Sequence, residues 1–278
     1  MSDISKIIGV DIATIAKINK IDIGDIGSVG GADIPSGSPA GSPVVWYDAS
    51  TIGGLSDNDP LVTWEDLGSA GANLTAGAGA AAPTYKTGIQ NSLPGIYYDG
   101  GDTTINEGGL PGFGASPNGH ATLFIVVNLD TGFTTEGLYE FTRSAATVND
   151  GWGLYSSGGT FIANLHAWDG SVKGVTHSAN VKPVDTVGLY TVVYDYNISP
   201  TSSANRLWRN GTVSTSSGIN HSIEMLTPAV VDSLSLGALG GGIYKMSGYI
   251  HEFIFYNTVL SSADITATES YLMTKWGL

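Results

Sequence analysis

The side chains best suited to acid–base chemistry in this 278-residue chain are its seven glutamates. Retaining glycoside hydrolysis needs two carboxyl groups about 5 Å apart, and residues two or four apart on a strand face the same side. Only Glu136 and Glu140 approach that spacing, and the residues between them, Gly-Leu-Tyr, add no third carboxylate. We interpret the pair as solvent-facing residues at a hairpin. No G-x-S-x-G, H-E-x-x-H or phosphate-loop motif occurs, so the sequence favours a protein that is not an enzyme.

Aromatic side chains that lie among Asp, Asn and Gly residues are candidates for ligand binding. Sugars are commonly held by an aromatic ring that stacks on the apolar face of the sugar while polar groups bind its hydroxyls. Trp168 and Asp169 lie in the segment H-A-W-D-G, whose Asp-Gly predicts a hairpin turn, and Trp152 lies in N-D-G-W-G-L-Y. Together with Tyr155 and His166, they form the predicted sugar site. The alternative is that these side chains merely cover the sheet.

Two oxygen-rich loops contain residue types that bind cations. Asp57 and Asp59 flank Asn58 in one loop, and Asp99 and Asp102 flank two glycines in the other. Carboxylates and carbonyls of loops are the ligands that Ca²⁺ prefers, but neither loop has the spacing of an EF-hand. Ordinary Asx turns explain such clusters as well. The sequence therefore predicts no cofactor, with Ca²⁺ binding left open.

The composition sets limits on fold class and partners. Hydrophobic residues make up 42% of the chain, charged residues only 13%, and there are 39 glycines, a profile typical of an all-β protein with many turns. The formal net charge of −14, with 11 Lys and Arg, disfavours nucleic acids and anionic membranes as partners. The absence of cysteine excludes disulfides and thiolate metal sites. No segment is apolar over the length of a membrane span, and we see no signal peptide.

The candidate residues must be positioned mainly by β-strands. Short apolar segments separated by clusters of turn residues predict about ten antiparallel strands, which together make a single sandwich. They are residues 44–48, 95–98, 122–129, 138–142, 153–155, 161–166, 189–194, 206–209, 233–236 and 249–256.

A helix is predicted after the last strand. Ser261 is a good N-cap, Asp264 stands at the third helical position of a capping box, and Gly277 is a natural stop. One face of this helix is apolar and is expected to pack on the domain. Its residues are Ile265, Leu272 and Trp276.

The first 26 residues contain a repeat. The pattern I-x-K-I-x-x-[VI]-D-I occurs at 4–12 and again at 15–23. Two such copies are too short to bury their own isoleucines, so we expect them to anchor the chain to another subunit or protein, the alternative being a frayed tail. The predicted anchoring residues are Ile4, Ile7, Val10, Ile12, Ile15, Ile18, Ile21 and Ile23. A Gly/Ser/Pro-rich linker, 27–43, follows, and the globular domain is predicted to occupy 44–278.

Several segments, in their order along the chain, resemble the concanavalin A-like lectin/glucanase superfamily in its laminin-G-like branch. They are V-W-Y-D-A-S (45–50), L-V-T-W-E-D-L-G-S-A-G-A-N-L-T-A (61–76), P-G-I-Y-Y-D-G (94–100), L-W-R-N-G (207–211) and the last 31 residues, 248–278. The resemblance implies a jelly-roll sandwich of two antiparallel sheets with a short C-terminal helix and, here, an extended N-terminal arm. It implies a scaffold role for Glu252. Glycan-cleaving enzymes of the superfamily carry E-x-D-x-x-E, which this chain lacks.

The N-terminal repeat resembles segments of tailed-phage virion proteins. We therefore expect a phage virion structural protein, either a capsid decoration or a tail-fibre component, that displays a lectin-like, glycan-binding module. Its expected partners are other virion proteins, through residues 1–26, and cell-surface or environmental glycans, without nucleic-acid binding or membrane insertion. A homo-oligomer is expected, with a trimer favoured, assembled in the host cytoplasm and released by lysis. The alternatives are a bacterial extracellular carbohydrate-binding or adhesion module and a glycoside hydrolase, which the carboxylate pattern disfavours.

Overall fold

The computed structural model describes residues 6–7, 10–11, 37–76, 82–102, 104–106, 120–130, 135–142, 152–157, 160–166, 172–181, 185–194, 205–213, 233–239 and 244–278. The chain divides into two units, Met1–Ser38 and Pro39–Leu278. In the first unit, β1 (Lys6–Ile7) and β2 (Val10–Asp11) form a short antiparallel pair in which Ile7 is opposite Val10. The other predicted anchoring residues lie outside the described residues, so the anchoring role stays a prediction.

The second unit consists mainly of antiparallel strands, as the composition predicted. In chain order its elements are β3 (Val45–Asp48), the short 3-10 helix Ala49–Thr51, β4 (Thr63–Trp64), β5 (Leu74–Ala76), β6 (Thr84–Gln90), β7 (Leu93–Asp99), β8 (Thr104–Asn106), β9 (Ala121–Leu129), β10 (Thr135–Thr142), β11 (Trp152–Ser157), β12 (Thr160–His166), β13 (Val172–Val181), β14 (Gly188–Tyr194), β15 (Asn205–Arg209), β16 (Thr212–Val213), β17 (Ser233–Leu236), β18 (Ala238–Leu239), β19 (Tyr244–Lys245), β20 (Ser247–Tyr256) and the helix α1 (Ser262–Trp276).

Two large sheets form the body of this unit. Sheet I has the strand order β16-β15-β14-β9-β20-β7-β6, with β3 also paired to β20, and sheet II has the order β13-β12-β11-β10-β17-β8-β5-β4. A small ladder joins β18 to β19. The all-β sandwich of antiparallel sheets with a C-terminal helix, predicted from the sequence, is confirmed.

The core between the sheets is rich in aromatic rings. Phe253 of sheet I lies 5.4 Å from Tyr139 and 6.2 Å from Phe141 of sheet II, measured between ring centroids, and all three side chains are fully buried. Aromatic pairs at these separations add stability beyond the area that they bury. The contacts of alternate inward-facing residues therefore hold the two sheets together.

Strand β20 is the centre of sheet I. It pairs along one side with β9, while β7 and β3 share its other side, β7 at residues 247–250 and β3 at residues 252–255. The register against β9 shifts between Ile250 and Glu252, so that His251 is the extra residue of a β-bulge. The bulge lies where the partner on the second side changes from β7 to β3.

Helix α1 begins and ends where the sequence predicts. The backbone N–H of Asp264 donates to the Ser261 hydroxyl over 3.2 Å, and that hydroxyl donates to the Asp264 carboxylate over 2.7 Å. Gly277 ends the helix with φ at 68°, a left-handed conformation that glycine adopts at little cost. The predicted apolar face packs on the outer surface of sheet I, and its residues are Ile265, Leu272 and Trp276. No helix in the described ranges is long and apolar enough to span a membrane.

The interpretation of Glu136 and Glu140 as solvent-facing residues is wrong. Both lie in β10 within sheet II and are 0% and 4% exposed. Glu136 accepts hydrogen bonds from the Ser247 backbone over 3.1 Å and from the Ser156 hydroxyl over 3.4 Å. Glu136 therefore links sheet II to sheet I inside the sandwich, a placement that its sequence neighbours do not reveal.

Candidate functional site

The outer face of sheet I is divided between an apolar half and a polar half. The apolar half lies under α1, where Phe124, Val126 and Ile254 meet the helix. On the other half, strand register aligns four residues in one row across β6, β7, β20 and β9, because Thr84 pairs with Tyr97, Tyr97 with Tyr249 and Tyr249 with Asn128. All four side chains are partly exposed. The row presents two tyrosine rings and an amide to solvent.

Asp130 lies at one end of this row and is held by two hydroxyls. Tyr97 Oη donates to its Oδ2 over 3.0 Å, and Ser247 Oγ donates to the same atom over 2.8 Å. Its Oδ1 accepts no hydrogen bond from the residues that the structure describes. The Asp130 carboxylate is therefore fixed in place through Oδ2, and within the described residues its Oδ1 remains able to accept a hydrogen bond. We call Tyr97, Asn128, Asp130, Ser247 and Tyr249 the outer patch.

A column of rings supports the outer patch from the side of α1. The ring centroids of Tyr97 and Tyr249 are 4.9 Å apart, Tyr249 and His251 stack at 6.1 Å with a 16° tilt, and His251 lies 5.0 Å from Trp276. His251 occupies this position because its neighbour on β7 is Gly95, where a Cβ atom would lie 2.9 Å from the imidazole. The tyrosines are thus backed by a buried histidine and a buried tryptophan, which fixes their orientation.

The tyrosine rings of this face are uncharged at physiological pH. Burial raises the pKa of Tyr97 and of Tyr249 above its ordinary value, and the charges of Asp130 and of other carboxylates raise both further. Burial also lowers the pKa of His251 to about 4, so its imidazole is neutral at physiological pH. His251 Nε2 lies 3.3 Å from Asn128 Oδ1. The face therefore offers neutral rings, one amide and one fixed carboxylate.

Glu252, next to His251 in the bulge, has a structural role. It is fully buried, and Lys275 Nζ donates to its Oε2 over 2.7 Å and to Asp48 as well. Burial and the Asp48 carboxylate raise the pKa of Glu252 to about 6, although the ammonium of Lys275 opposes the rise. Three further groups donate to this carboxylate: Trp46 Nε1, Tyr271 Oη and Trp276 Nε1. Its contacts join α1 to β3 and β20, as the resemblance implied.

The sugar site predicted from the sequence lies largely outside the described side chains. Tyr155 is partly exposed in the middle of β11. The backbone of Trp152 pairs with Leu165, the neighbour of His166, so these two predicted residues lie at the same end of the β11–β12 pair. Their side chains, and both Trp168 and Asp169, fall outside the described residues. This site stays a prediction.

The four carboxylates of the oxygen-rich loops accept hydrogen bonds from backbone N–H groups. Asp57 Oδ1 accepts from the Thr87 backbone over 2.9 Å and Asp59 Oδ2 from the Ser56 backbone over 2.7 Å. Asp99 and Asp102 accept from backbone N–H groups within their own loop in the same way, over 2.7 and 3.1 Å. The bond from Gly101 to Asp99 has the spacing of an Asx turn. Asp59 and Asp102 accept from the residue three positions earlier, and Asp57 accepts from strand β6. Across the described ranges, no group of three or more His, Cys, Asp or Glu residues could hold a metal ion.

Sequence reasoning missed the outer patch. Its strongest local signal is the alternation of Ser247, Tyr249 and His251 with Gly248 and Ile250, which places three polar or aromatic side chains on one face of a strand. The other members lie on β7, on β9 and directly after β9, so only the pairing of distant strands brings them together. The patch is therefore defined by the register of the paired strands and not by a local sequence motif.

Comparison with known proteins shows the fold. No family model matches the chain, and no curated protein matches it. A solved botulinum neurotoxin serotype D ligand-binding domain in complex with N-acetylneuraminic acid is similar over 82% of this chain and 50% of that chain, with 14% identity and a TM-score of 0.55. The type G receptor-binding domain is similar over 85% and 54%, with 10% identity and a TM-score of 0.54.

A third similar structure concerns botulinum neurotoxin type C, whose cell entry depends on interaction with two ganglioside molecules. It matches over 83% of this chain and 51% of that chain, with 10% identity and a TM-score of 0.55. The chain thus spans about half the length of these toxin domains. At such low identity the likeness establishes a common β-sandwich fold.

Proposed function

We propose that this domain is a carbohydrate-binding module and that the outer patch holds the sugar. The observation that carries the proposal is the row of two partly exposed tyrosines beside a carboxylate that two hydroxyls hold in place. Sugar recognition needs an aromatic face for the C–H side of the ring and fixed polar groups for its hydroxyls. The likeness to toxin domains that bind receptors supports a binding role for the same fold.

Four members of the outer patch would contact the sugar, each with a distinct task. Tyr249, at the centre of the row, provides the stacking surface, and Tyr97 widens it. Asp130 Oδ1 accepts hydrogen bonds from sugar hydroxyls, and Asn128 offers both a donor and an acceptor. The groups are held by one another before any ligand arrives, so binding loses little side-chain entropy.

A second site on the same domain follows from the sequence. Trp152, Tyr155, His166, Trp168 and Asp169 form a candidate around the β11–β12 pair, and the adjacent backbones of Trp152 and His166 support it. The two sites lie on different sheets. Substitutions in each therefore separate them.

We further propose that the module is displayed on a phage virion as a capsid or tail component, in the laminin-G-like branch of the concanavalin A-like superfamily. The isoleucine repeat of residues 1–26 supports an anchoring arm, through which the chain joins other virion proteins, as a trimer, during assembly in the host cytoplasm. Deleting residues 1–26 is expected to abolish co-sedimentation with virions and to leave glycan binding intact. Co-sedimentation that survives the deletion would exclude the anchoring role.

A glycan array followed by titration calorimetry tests the binding role on the full chain. Tyr249→Ala is expected to weaken the affinity for the selected glycan about tenfold, since a ring contact contributes about 0.5–1.5 kcal/mol beyond area burial. Tyr244→Ala is the matched control, because Tyr244 is a tyrosine that is 45% exposed and lies in the separate β18–β19 ladder rather than in the row of the outer patch. If Tyr155→Ala weakens the affinity and Tyr249→Ala does not, the sugar binds at β11 rather than at the outer patch. Absence of binding to any glycan would refute the proposal.

A further inference from the structure

Three carboxylates belong to the outer patch or lie close to it. Asp130 is part of it. Asp99 is exposed and pairs with Ser247 across β7 and β20. Asp57, in the exposed loop before β4, accepts a hydrogen bond from the backbone of Thr87 on β6, the strand next to β7, and its charge raises the pKa of Tyr249. A ligand on Tyr249 therefore has carboxylates as its nearest charged neighbours within the patch.

The two lysines near the outer patch donate hydrogen bonds to neutral groups outside it. Lys86 Nζ donates to the Asn58 side chain, and Lys245 Nζ donates to the carbonyl of Gly101. Among the residues that the structure describes, no lysine or arginine donates a hydrogen bond to a member of the outer patch. Recognition of a carboxylate or phosphate normally uses such a donor, above all the bidentate fork of arginine. Within the described ranges, the patch therefore has no cation bound to it that would pair with an acidic sugar.

The open oxygen of Asp130 suits a hydroxyl ligand. Tyr97 and Ser247 bind Oδ2 alone, which leaves Oδ1 to accept hydrogen bonds. Hydroxyl groups donate to an ionised carboxylate through short, strong bonds, whereas a ligand carboxylate at the same place would be repelled. The whole chain, with a formal charge of −14, adds to this repulsion at long range.

We infer that the outer patch selects by charge, so that it binds uncharged saccharides and rejects those that carry carboxylates. This inference rests on the proposed carbohydrate-binding function and defines its ligand class. It separates this chain from the similar toxin domain solved with N-acetylneuraminic acid, whose ligand is an acidic sugar. Each carboxylate at 4 Å from a ligand charge in water lowers the affinity about fivefold. Asp130, which would contact the ligand, is expected to weaken acidic ligands by about this factor, and Asp57 and Asp99 are expected to weaken them further.

A matched pair of oligosaccharide series tests this selection on the full chain. Oligomers of glucose, galactose and mannose are titrated beside oligomers of the corresponding uronic acids, with N-acetylneuraminic acid as a further acidic probe. Binding is expected only within the neutral series. Raising the salt from about 0.02 M to about 0.3 M shortens the range of the charges and is expected to relieve the rejection without changing neutral binding.

Two variants keep the loops folded while they change the charge. The double substitution Asp57→Asn with Asp99→Asn preserves the side-chain oxygens that accept from Thr87 and Gly101. It is expected to raise uronic-acid binding about two- to fivefold and to leave the neutral oligomers unaffected. Asp130→Asn is expected to weaken the neutral oligomers about tenfold, because it replaces an ionised acceptor of hydroxyl hydrogen bonds.

The outcomes distinguish this inference from the function on which it rests. Uronic-acid oligomers that bind as tightly as their neutral counterparts, with affinity lost in Tyr249→Ala, would overturn the charge selection and leave the carbohydrate-binding function in place. Neutral and acidic oligomers that both fail to bind would overturn the function itself.

Discussion

Replacing Glu252 with glutamine tests the account of the buried network under α1. The carboxylate accepts four hydrogen bonds, two on each oxygen. A glutamine turns one of these oxygens into an NH₂ group that faces two donors. Lys275 keeps Asp48 as a partner, so the loss is expected near the lower end of the range for broken buried ion pairs, about 3 kcal/mol at pH 7.5.

The dependence of this loss on pH is the stricter test. The folded pKa of Glu252 is raised from 4.5 to about 6, so the folded protein binds a proton more readily than the unfolded chain does. This tighter proton binding adds to the free energy of unfolding. The added stability is fully present below pH 4.5 and is lost as the pH rises through 6. It amounts to about 2 kcal/mol. Because glutamine does not titrate, the difference between wild type and variant is expected to grow from about 3 kcal/mol at pH 7.5 to about 5 kcal/mol at pH 4.

Urea unfolding followed by tryptophan fluorescence at both pH values measures the two differences. Glu65→Gln is the control, since Glu65 is exposed and its substitution is expected to change the free energy of unfolding by less than about 0.5 kcal/mol. A difference that shrinks on acidification would refute the reasoning. It would mean that the ammonium of Lys275 outweighs burial and Asp48, and that the pKa of Glu252 lies below 4.5.

Two further predictions concern the same end of the domain. The folded pKa of His251 is lowered to about 4, which contributes about 3 kcal/mol to the free energy of unfolding above pH 6.5, and this contribution is lost as the pH falls through 4. His251→Asn should remove this dependence on pH. The same unfolding experiments check it, and an unchanged dependence on pH would contradict the prediction. Ser261→Ala should cost about 1 kcal/mol through loss of the N-cap of α1, measured by thermal unfolding beside Ser262→Ala. If Ser262→Ala, at the exposed neighbouring position, lowers the stability as much as Ser261→Ala does, the hydrogen bond from the Asp264 N–H to Ser261 is not the cause of the loss.

Local patterns predicted the elements that depend on near neighbours. Helix α1 is defined by its cap, its apolar face and its glycine stop, which are all contained within 261–277. Strand β20 was predicted as 249–256 and begins two residues earlier, at Ser247. Strand β13 escaped prediction because its residues, V-K-G-V-T-H-S-A-N-V, combine a glycine with polar side chains. Its place beside β12 is a property of the sheet.

Burial and the candidate site depended on contacts between distant residues. Glu136 looked solvent-facing because a glutamate among glycine and tyrosine carries no local sign of its partner, Ser247, which lies 111 residues away. The outer patch required the register that sets Tyr97, Tyr249 and Asn128 side by side. The bulge at His251 arises where β20 exchanges one neighbour for another, and no pattern within the strand encodes that exchange.

The central position of β20 has a consequence for how the chain folds. Every other strand of the domain is synthesised before it, yet β9, β7 and β3 have no complete sheet until residues 247–256 are available to pair with all three. Pairing across such long sequence separations is slow, and open strand edges attract other chains. A fragment that ends before residue 247 therefore has unpaired edges and no closed core. Only after β20 has left the ribosome can sheet I close.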